Sequence, residues 1–258
     1  MKLSFIQNKE NETAYYEPHK RRGGMSGALL FVVTIVAAIF IMSVTFRVED
    51  IQVTGNTHYS AIEIINAIDI EQGDNLFFFD RFAAITRVFA KLPYVQEVTV
   101  ERALPNKVII NVKESTAVAY IKIGSELWTF DEKCKVLGKA AEGEEKGLIP
   151  VVGIDPGTIF INETLQTAKN DIRTIEYLQS ILYQIKARGI EYKVTKLDFT
   201  STNNVVMYYG GKYIVRLGDP FATEKKFSMT LDAVSQLRVG DIGIIDVTDA
   251  ATVKFIPY

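Results

Sequence analysis

The sequence predicts an α+β protein carried on a single transmembrane helix. Three observations lead there. Met25–Phe46 is apolar throughout and holds no Asp, Glu, Lys or Arg. Beyond it, stretches with apolar residues at every second position mix with stretches of helical spacing. These stretches fall into two sets, which divide the remaining chain into units of residues 47–115 and 116–258.

At 1.5 Å per residue, residues 25–46 extend roughly 33 Å as a helix, enough to cross the hydrocarbon core. Lipid offers no partners to backbone polar groups, which makes the run helical. It is longer than the apolar core of a signal peptide, and Phe46-Arg47-Val48-Glu49 makes a poor cleavage site. Lys20, Arg21 and Arg22 precede it, whereas Glu49 and Asp50 follow with only Arg47 for balance. The positive-inside rule then puts residues 1–24 in the cytoplasm as a short polar tail and Arg47–Tyr258 outside. With one run of spanning length, a multi-pass transporter or channel is excluded.

Val48, Ile51 and Val53 form a strand-like run that ends at the turn pair Gly55-Asn56. Ser60-Ala61-Ile62-Glu63 has capping-box spacing, so a helix follows, with Ala61, Ile64, Ile65 and Ile68 as its apolar face. Gly73 breaks the pattern. Asp80 is a good N-cap for a second helix striped by Phe82, Ile85, Phe89 and Leu92 and stopped at Pro93. Val98 and Val100, then Val108, Ile110 and Val112, alternate on two arms joined at Pro105-Asn106. The first unit therefore reads β-α-α-β-β.

In the second unit, Ala117–Ile123 and Leu127–Phe130 read as strands, and Ala140–Gly147 as a charged surface loop. Leu165–Arg188 is a long helix with Ala168, Ile172, Ile175, Leu178, Leu182 and Ile185 inward and Gly189 as its stop. Three strands follow, Val194–Thr200, Val205–Tyr209 and Tyr213–Leu217, with Gly210-Gly211 turning the last pair. A second helix, Phe221–Leu237, turns Phe227, Leu231, Val234 and Leu237 inward. Gly243–Val247 and Thr252–Ile256 close the chain. This unit is a β domain with two covering helices.

Catalytic arrangements are not visible. The net charge of −2 leaves no basic excess for nucleic acid. The single cysteine, Cys134, permits neither an intramolecular disulfide nor a cysteine-based metal site and reads as a small packing residue. A Ser-His-Asp triad outside the membrane would depend on His58, which lies in a turn, since His19 is in the tail. There is no P-loop, no Gly-rich dinucleotide turn, and no Ser-x-x-Lys or Lys-Thr-Gly pair. No catalytic, metal or cofactor residue and no small-molecule substrate is expected. The expected sites are surfaces. Thr252–Tyr258 is apolar and aromatic with one charge, and a terminal strand is often a sheet edge able to accept a strand from another protein. The alternative is that Val253, Phe255 and Tyr258 complete the core.

The order β-α-α-β-β directly after a span resembles a POTRA domain. Several pieces, taken in order, resemble the FtsQ/DivIB family of bacterial cell-division proteins: Phe46–Asn56, Ser60–Ile64, Gly73–Phe77, Leu92–Val95 and Val100–Asn106. Asp131–Leu137 resembles a family turn in which glycine is expected at Cys134, leaving the turn type open, and Gly243–Val247 resembles the penultimate strand. The resemblance implies a divisome scaffold without enzymatic activity. Such a protein sits in the plasma membrane as a single-pass type II protein, is enriched at the division septum, and regulates septal peptidoglycan synthesis. The implied partners are FtsB/DivIC-type and FtsL-type single-span proteins, held through the last strands. The implied contacts are Ile244, Val247, Val253, Lys254, Phe255, Ile256 and Tyr258, although Thr248 and Asp249 stand where bulkier residues are expected. The competing readings are another single-POTRA protein, acting as chaperone or transport component, and a membrane-anchored cell-wall enzyme.

Overall fold

The computed structural model of the protein describes residues 24–258 apart from Glu142, with side chains from Gly27 onward. The tail, including His19 and Lys20-Arg21-Arg22, lies outside the described residues. The first helix, α1 (Gly24–Thr45), is the one helix among them long and apolar enough to cross a membrane, and none of Gly27–Thr45 is buried in protein. An apolar cylinder left bare in this way is stable in lipid and not in water.

The chain leaves α1 straight into the first unit. Strand β1 (Asp50–Thr54) precedes helices α2 (Ala61–Ile68) and α3 (Arg81–Lys91), then strands β2 (Val95–Ala103) and β3 (Lys107–Glu114). The sheet order is β1-β3-β2, with β1 parallel and β2 antiparallel to the central β3. Ile64 and Ile68 of α2 and Ala84 and Val88 of α3 are buried against Val98, Val100, Val108, Ile110 and Val112. Ser60 and Glu63 form the full capping box: the serine hydroxyl accepts from the Glu63 N–H while the Glu63 carboxylate accepts from the Ser60 N–H, 2.8 Å away. Asp80 caps α3 through the N–H groups of Phe82 and Ala83. Gly55 is required on two counts: its φ is +79°, and a side chain there would overlap the Val112 carbonyl. Glu114, at the end of β3, accepts from the backbone of Thr57, His58 and Tyr59 and so fastens the loop before α2.

Two expected helix faces are corrected. Ala61 is exposed, and Ala67 takes its place in the core. In α3 the buried line is Ala84, Val88 and Leu92, while Phe82 and Phe89 are exposed and Ile85 is half-buried. Small Ala84 lets the helix approach the sheet closely, so the bulky aromatic residues are displaced to its flanks.

The second unit is one nine-stranded sheet. Its strands are β4 (Ala119–Ile123), β5 (Glu126–Phe130), β6 (Val136–Lys139), β7 (Ile149–Val152), β8 (Val194–Asp198), β9 (Val205–Tyr209), β10 (Tyr213–Gly218), β11 (Gly243–Asp246) and β12 (Lys254–Pro257). They lie in the order β12-β11-β10-β9-β8-β7-β4-β5-β6. Helices α4 (Ile172–Ala187) and α5 (Thr223–Gln236) bury Leu178, Ile181, Leu182, Ile185 and Phe227 in the core that the sheet residues Leu197, Met207, Val215 and Ile245 also form. Gly210 and Gly211 both have positive φ, the mirror-image turn that a tight hairpin requires.

The long helix begins at Ile172, seven residues later than the spacing suggests, and Ala168 and Ile172 are exposed. The preceding segment is held extended instead. Thr164 bridges Lys135, Thr167 bridges Pro156, and the Leu165 N–H donates to the Cys134 carbonyl over 2.8 Å. Asp171 then caps the helix through Arg173 N and Thr174 Oγ1. At the other end Gly189 (φ +60°) donates to the Lys186 carbonyl and Ile190 to that of Ile185, a Schellman closure. Strands β6 and β7, four residues each, are not among the strands that the sequence pattern marks.

Lys226 on α5 is a further departure. It is 0% exposed, yet its Nζ donates to the Asp219 carboxylate and to the Asp219 carbonyl, both at 2.9 Å. That lysine beside it holds the Asp219 carboxyl below the usual carboxylate range. Cys134 is fully buried and takes a left-handed conformation (φ 57°) without being glycine. Asp131 fixes this turn by accepting from Lys133 N, Lys135 N and Ser115 Oγ, each at 2.9 Å. The two units are joined at the same place: Lys135 Nζ donates to the carbonyls of Pro93 (2.7 Å) and Val95 (3.0 Å).

The capping box gives a direct test. Ser60→Ala is expected to lower the stability of the first unit by roughly 0.5–2 kcal/mol, because a helix N-terminal donor loses its acceptor. Chemical denaturation followed by circular dichroism reads this as a lower midpoint; an unchanged midpoint would mean the cap contributes nothing.

Candidate functional site: a free sheet edge

A nine-stranded open sheet has two edges, and the molecule treats them differently. At β6 the edge is covered at its first residue, Val136. Val136 N–H donates to the Glu163 carbonyl (2.8 Å) and Asn162 N–H to the Val136 carbonyl (2.9 Å). At the other side, among the described residues, β12 is hydrogen-bonded to β11 alone. Its antiparallel register sets Lys254, Phe255, Ile256 and Pro257 opposite Asp246, Ile245, Ile244 and Gly243.

The phase of this ladder decides which backbone groups are free. Tyr258 N–H donates to the Ile242 carbonyl at 3.0 Å, which makes 258/242 a hydrogen-bonded pair and, by alternation, 256/244 and 254/246 as well. Phe255 and Pro257 are the intervening residues, so their polar groups point away from β11. Phe255 offers an N–H and a carbonyl. Pro257 offers a carbonyl only, which removes one donor from the outer row and blunts the edge against indiscriminate pairing. Gly243 is what allows β12 to lie where it does: a side chain there would overlap the Ile256 carbonyl and press on the Phe255 ring.

The seven residues expected as contacts divide between two faces. Val247 is 0% exposed and belongs to the core, where it can take no part in a surface contact. Phe255 is half-buried on the covered face, in a row with Met207, Val215 and Ile245. Its ring meets Tyr213 edge-on at 6.5 Å. Val253 and Phe255 also line a groove of about 420 Å³ with Met229, Asp232, Ala233 and Gln236 of α5 and with Leu237 just beyond it. Ile244, Lys254 and Ile256 lie on the opposite, uncovered face; Ile244 is half-exposed, Lys254 and Ile256 exposed. Tyr258, just past the strand, is exposed.

The uncovered face carries two rows that sequence reasoning missed. Tyr208, Ile214, Ile244 and Ile256 are successive cross-strand neighbours and form an apolar row that runs off the sheet at β12. Beside it Arg216, Asp246 and Lys254 alternate in charge, with Arg216 and Asp246 paired at 3.6 Å. Lys196 caps the apolar row at its inner end, its Nζ 3.9 Å above the Tyr208 ring. The period-two pattern of each strand was visible, but the register that aligns the strands was not.

His58, expected in a solvated turn, stacks on the Tyr94 ring at 3.8 Å, and its backbone N–H donates to Glu114. Its role there is to pack the loop.

A single-span anchor joined to a β-α-α-β-β unit and then to a sheet with one open edge defines a membrane-anchored POTRA protein. Residues 46–115 match the family description "POTRA domain, FtsQ-type". The chain is 26% identical over 221 residues, 85% of each chain, to "Cell division protein DivIB" of Clostridium botulinum (strain Hall). It is 25% identical to the protein of that name in Bacillus subtilis (strain 168), over 86% of this chain and 79% of the relative. "Cell division protein FtsQ" of Corynebacterium glutamicum is 31% identical over a shorter stretch, 37% of this chain and 43% of that one. The FtsQ-type domain and the relatives named DivIB over most of the chain's length support the FtsQ/DivIB family and, with it, a division-related function.

The two faces of the edge make a paired prediction. Val247→Asp is expected to destabilise the second unit by about 3 kcal/mol or more, since it leaves a charge buried without a partner. Ile256→Asp is expected to cost under about 1 kcal/mol, as surface changes do. Thermal melts of the two variants compare them directly, and equal losses would contradict the face assignment.

Proposed function

We propose that this protein is a scaffold of the bacterial divisome that holds single-span division proteins by adding one of their strands to β12. The observation that carries the reading is the open edge itself. It combines outward backbone groups at Phe255 and Pro257, an apolar row ending at Ile256, and a groove beside Val253 and Phe255. Strand addition draws affinity from main-chain hydrogen bonds and specificity from alternate side chains. An incoming strand would lay one set of side chains along Ile256 and Lys254 and the other set into the α5 groove. The family resemblance implies partners of the FtsB/DivIC and FtsL types. In this reading the protein positions them outside the cell and so regulates septal peptidoglycan synthesis, without chemistry of its own.

Localisation in the plasma membrane at the division septum, with the N-terminus cytoplasmic, belongs to the same proposal. It is supported by Lys20-Arg21-Arg22 before the span and Glu49-Asp50 after it. An alkaline phosphatase fused after Tyr258 is expected to be active and one fused after Glu17 inactive; the opposite pattern would invert the topology.

Binding is tested with the full-length protein in detergent and an FtsB/DivIC-type partner. Ile256→Asp puts a charge at the exit of the apolar row without reaching the core. It is expected to weaken capture at least about tenfold, equivalent to roughly 1.4 kcal/mol, with the melting curve of the second unit nearly unchanged. Phe255→Glu is the poorer choice, because its ring is packed against Tyr213 and the variant would test folding first. A folded Ile256→Asp protein that captures the partner as well as wild type does would refute the edge as the docking site.

A further inference from the structure

The loop between α2 and α3 is built onto the end of the membrane helix. The Asn75 side chain donates to the Met42 carbonyl at 3.1 Å, which also accepts from the Phe46 N–H, and to the Ser43 carbonyl at 3.2 Å, so it caps the last turn of α1. The Leu76 N–H donates to the Phe46 carbonyl at 2.8 Å, and the Phe46 ring meets Phe77 edge-on at 5.2 Å. Met42 lies three residues before the end of α1, about 4.5 Å of helical rise. Asn75 is therefore held at the level where the apolar helix leaves the hydrocarbon.

Asn75 also fixes the turn after it. Its side-chain oxygen accepts from Phe77 N, and its carbonyl accepts from Phe78 N at 3.1 Å. A turn closed in this way keeps Phe78 within about 7 Å of Asn75, Cα to Cα. Arg102 donates to the carbonyls of Phe77 and Phe79 and lies over the Phe79 ring at 4.9 Å, which ties Phe79 to the domain. Phe78 is 64% exposed, and Phe82, in the first turn of α3, is 73% exposed. The Arg81 guanidinium stands 5.5 Å from the Phe82 ring. Two bare phenylalanines and an arginine beside the exit of a membrane span have the composition of an interfacial belt, where aromatic rings sit at headgroup level and cations meet phosphate.

We infer that Phe78 and Phe82 rest in the interfacial layer of the bilayer that α1 crosses, with Arg81 at the lipid phosphates. The loop that carries Phe78 is hydrogen-bonded through Asn75 and Leu76 to the end of α1, whose exposed apolar surface faces lipid, and this attachment favours lipid over a protein partner as the occupant.

The test uses the full-length protein in nanodiscs of phosphatidylethanolamine and phosphatidylglycerol, in which both faces are open to solvent. Phe78→Cys and, separately, Phe82→Cys are labelled with an environment-sensitive fluorophore. Tyr192→Cys, in the second unit and 77% exposed, is the control, and buried Cys134 leaves the label selective. Headgroup-proximal brominated lipid is expected to quench the 78 and 82 probes at least about threefold more than the 192 probe, and aqueous iodide to show the reverse order. Iodide quenching of all three probes alike, without quenching by brominated lipid, would overturn the inference. Resistance of the 78 and 82 probes to both quenchers would overturn it as well, because protein would then be covering those rings.

Discussion

The sheet of the second unit has one face to bury and two helices to bury it with, and most of the surface that the molecule offers to others is a result of that constraint. Side chains alternate across a pleated strand, so committing Met207, Val215, Ile245 and Phe255 to the core commits Tyr208, Ile214, Ile244 and Ile256 to the open side. The same alternation applied to the backbone of β12 turns every second residue outward. The segment around Asn162 and Glu163 covers the start of β6 at Val136, and nothing among the described residues pairs with the outer side of β12. The surface patterns at the edge are therefore the complement of the core.

Polar groups are buried where the chain must change direction beside this core. Asp131 collects three donors around a turn in which Cys134 occupies a left-handed conformation, a cost on the order of 1–2 kcal/mol for a residue with a Cβ. Desolvation of the sulfur, with the nearby Asp131 charge, pushes the Cys134 thiol well above its ordinary range, so it stays a neutral packing group. Lys226 is likewise tolerable in the core only because Asp219 satisfies it from both its backbone and its side chain. The Asp131 turn connects β5 to β6, and the Asp219–Lys226 pair fastens the turn from β10 into α5.

How much of this was legible depended on whether local sequence decided the outcome. The span, the Ser60–Glu63 box, the Asp80 cap, the Gly189 stop and the Gly210-Gly211 turn were all readable, because each is settled by residues within a few positions. The start of α4 was not. Leu165–Asn170 has apolar residues at helical spacing, but it is drawn off by hydrogen bonds to Cys134 and bridges to Lys135 and Pro156, which no local pattern reports. The face of α3 failed for a similar reason, since close packing at Ala84 outweighed the size of Phe82 and Phe89. For the edge, sequence pointed to the right strands but could not separate Val247, which is core, from Ile256, which is surface. It also could not indicate that Gly243 is needed for the two strands to meet.

The attachment of Asn75 to Met42 and Ser43 has a consequence for encounters within the membrane. A domain hung on a slack tether samples many heights and headings, and it must surrender that freedom each time it meets a partner anchored in the same bilayer. Here no tether intervenes: the first unit begins at the last turn of the span, and Lys135 fastens the second unit to the first. On the proposed reading, a partner anchored in the same bilayer would search in a plane for a domain already fastened to its span, with a raised local concentration and a reduced entropic loss.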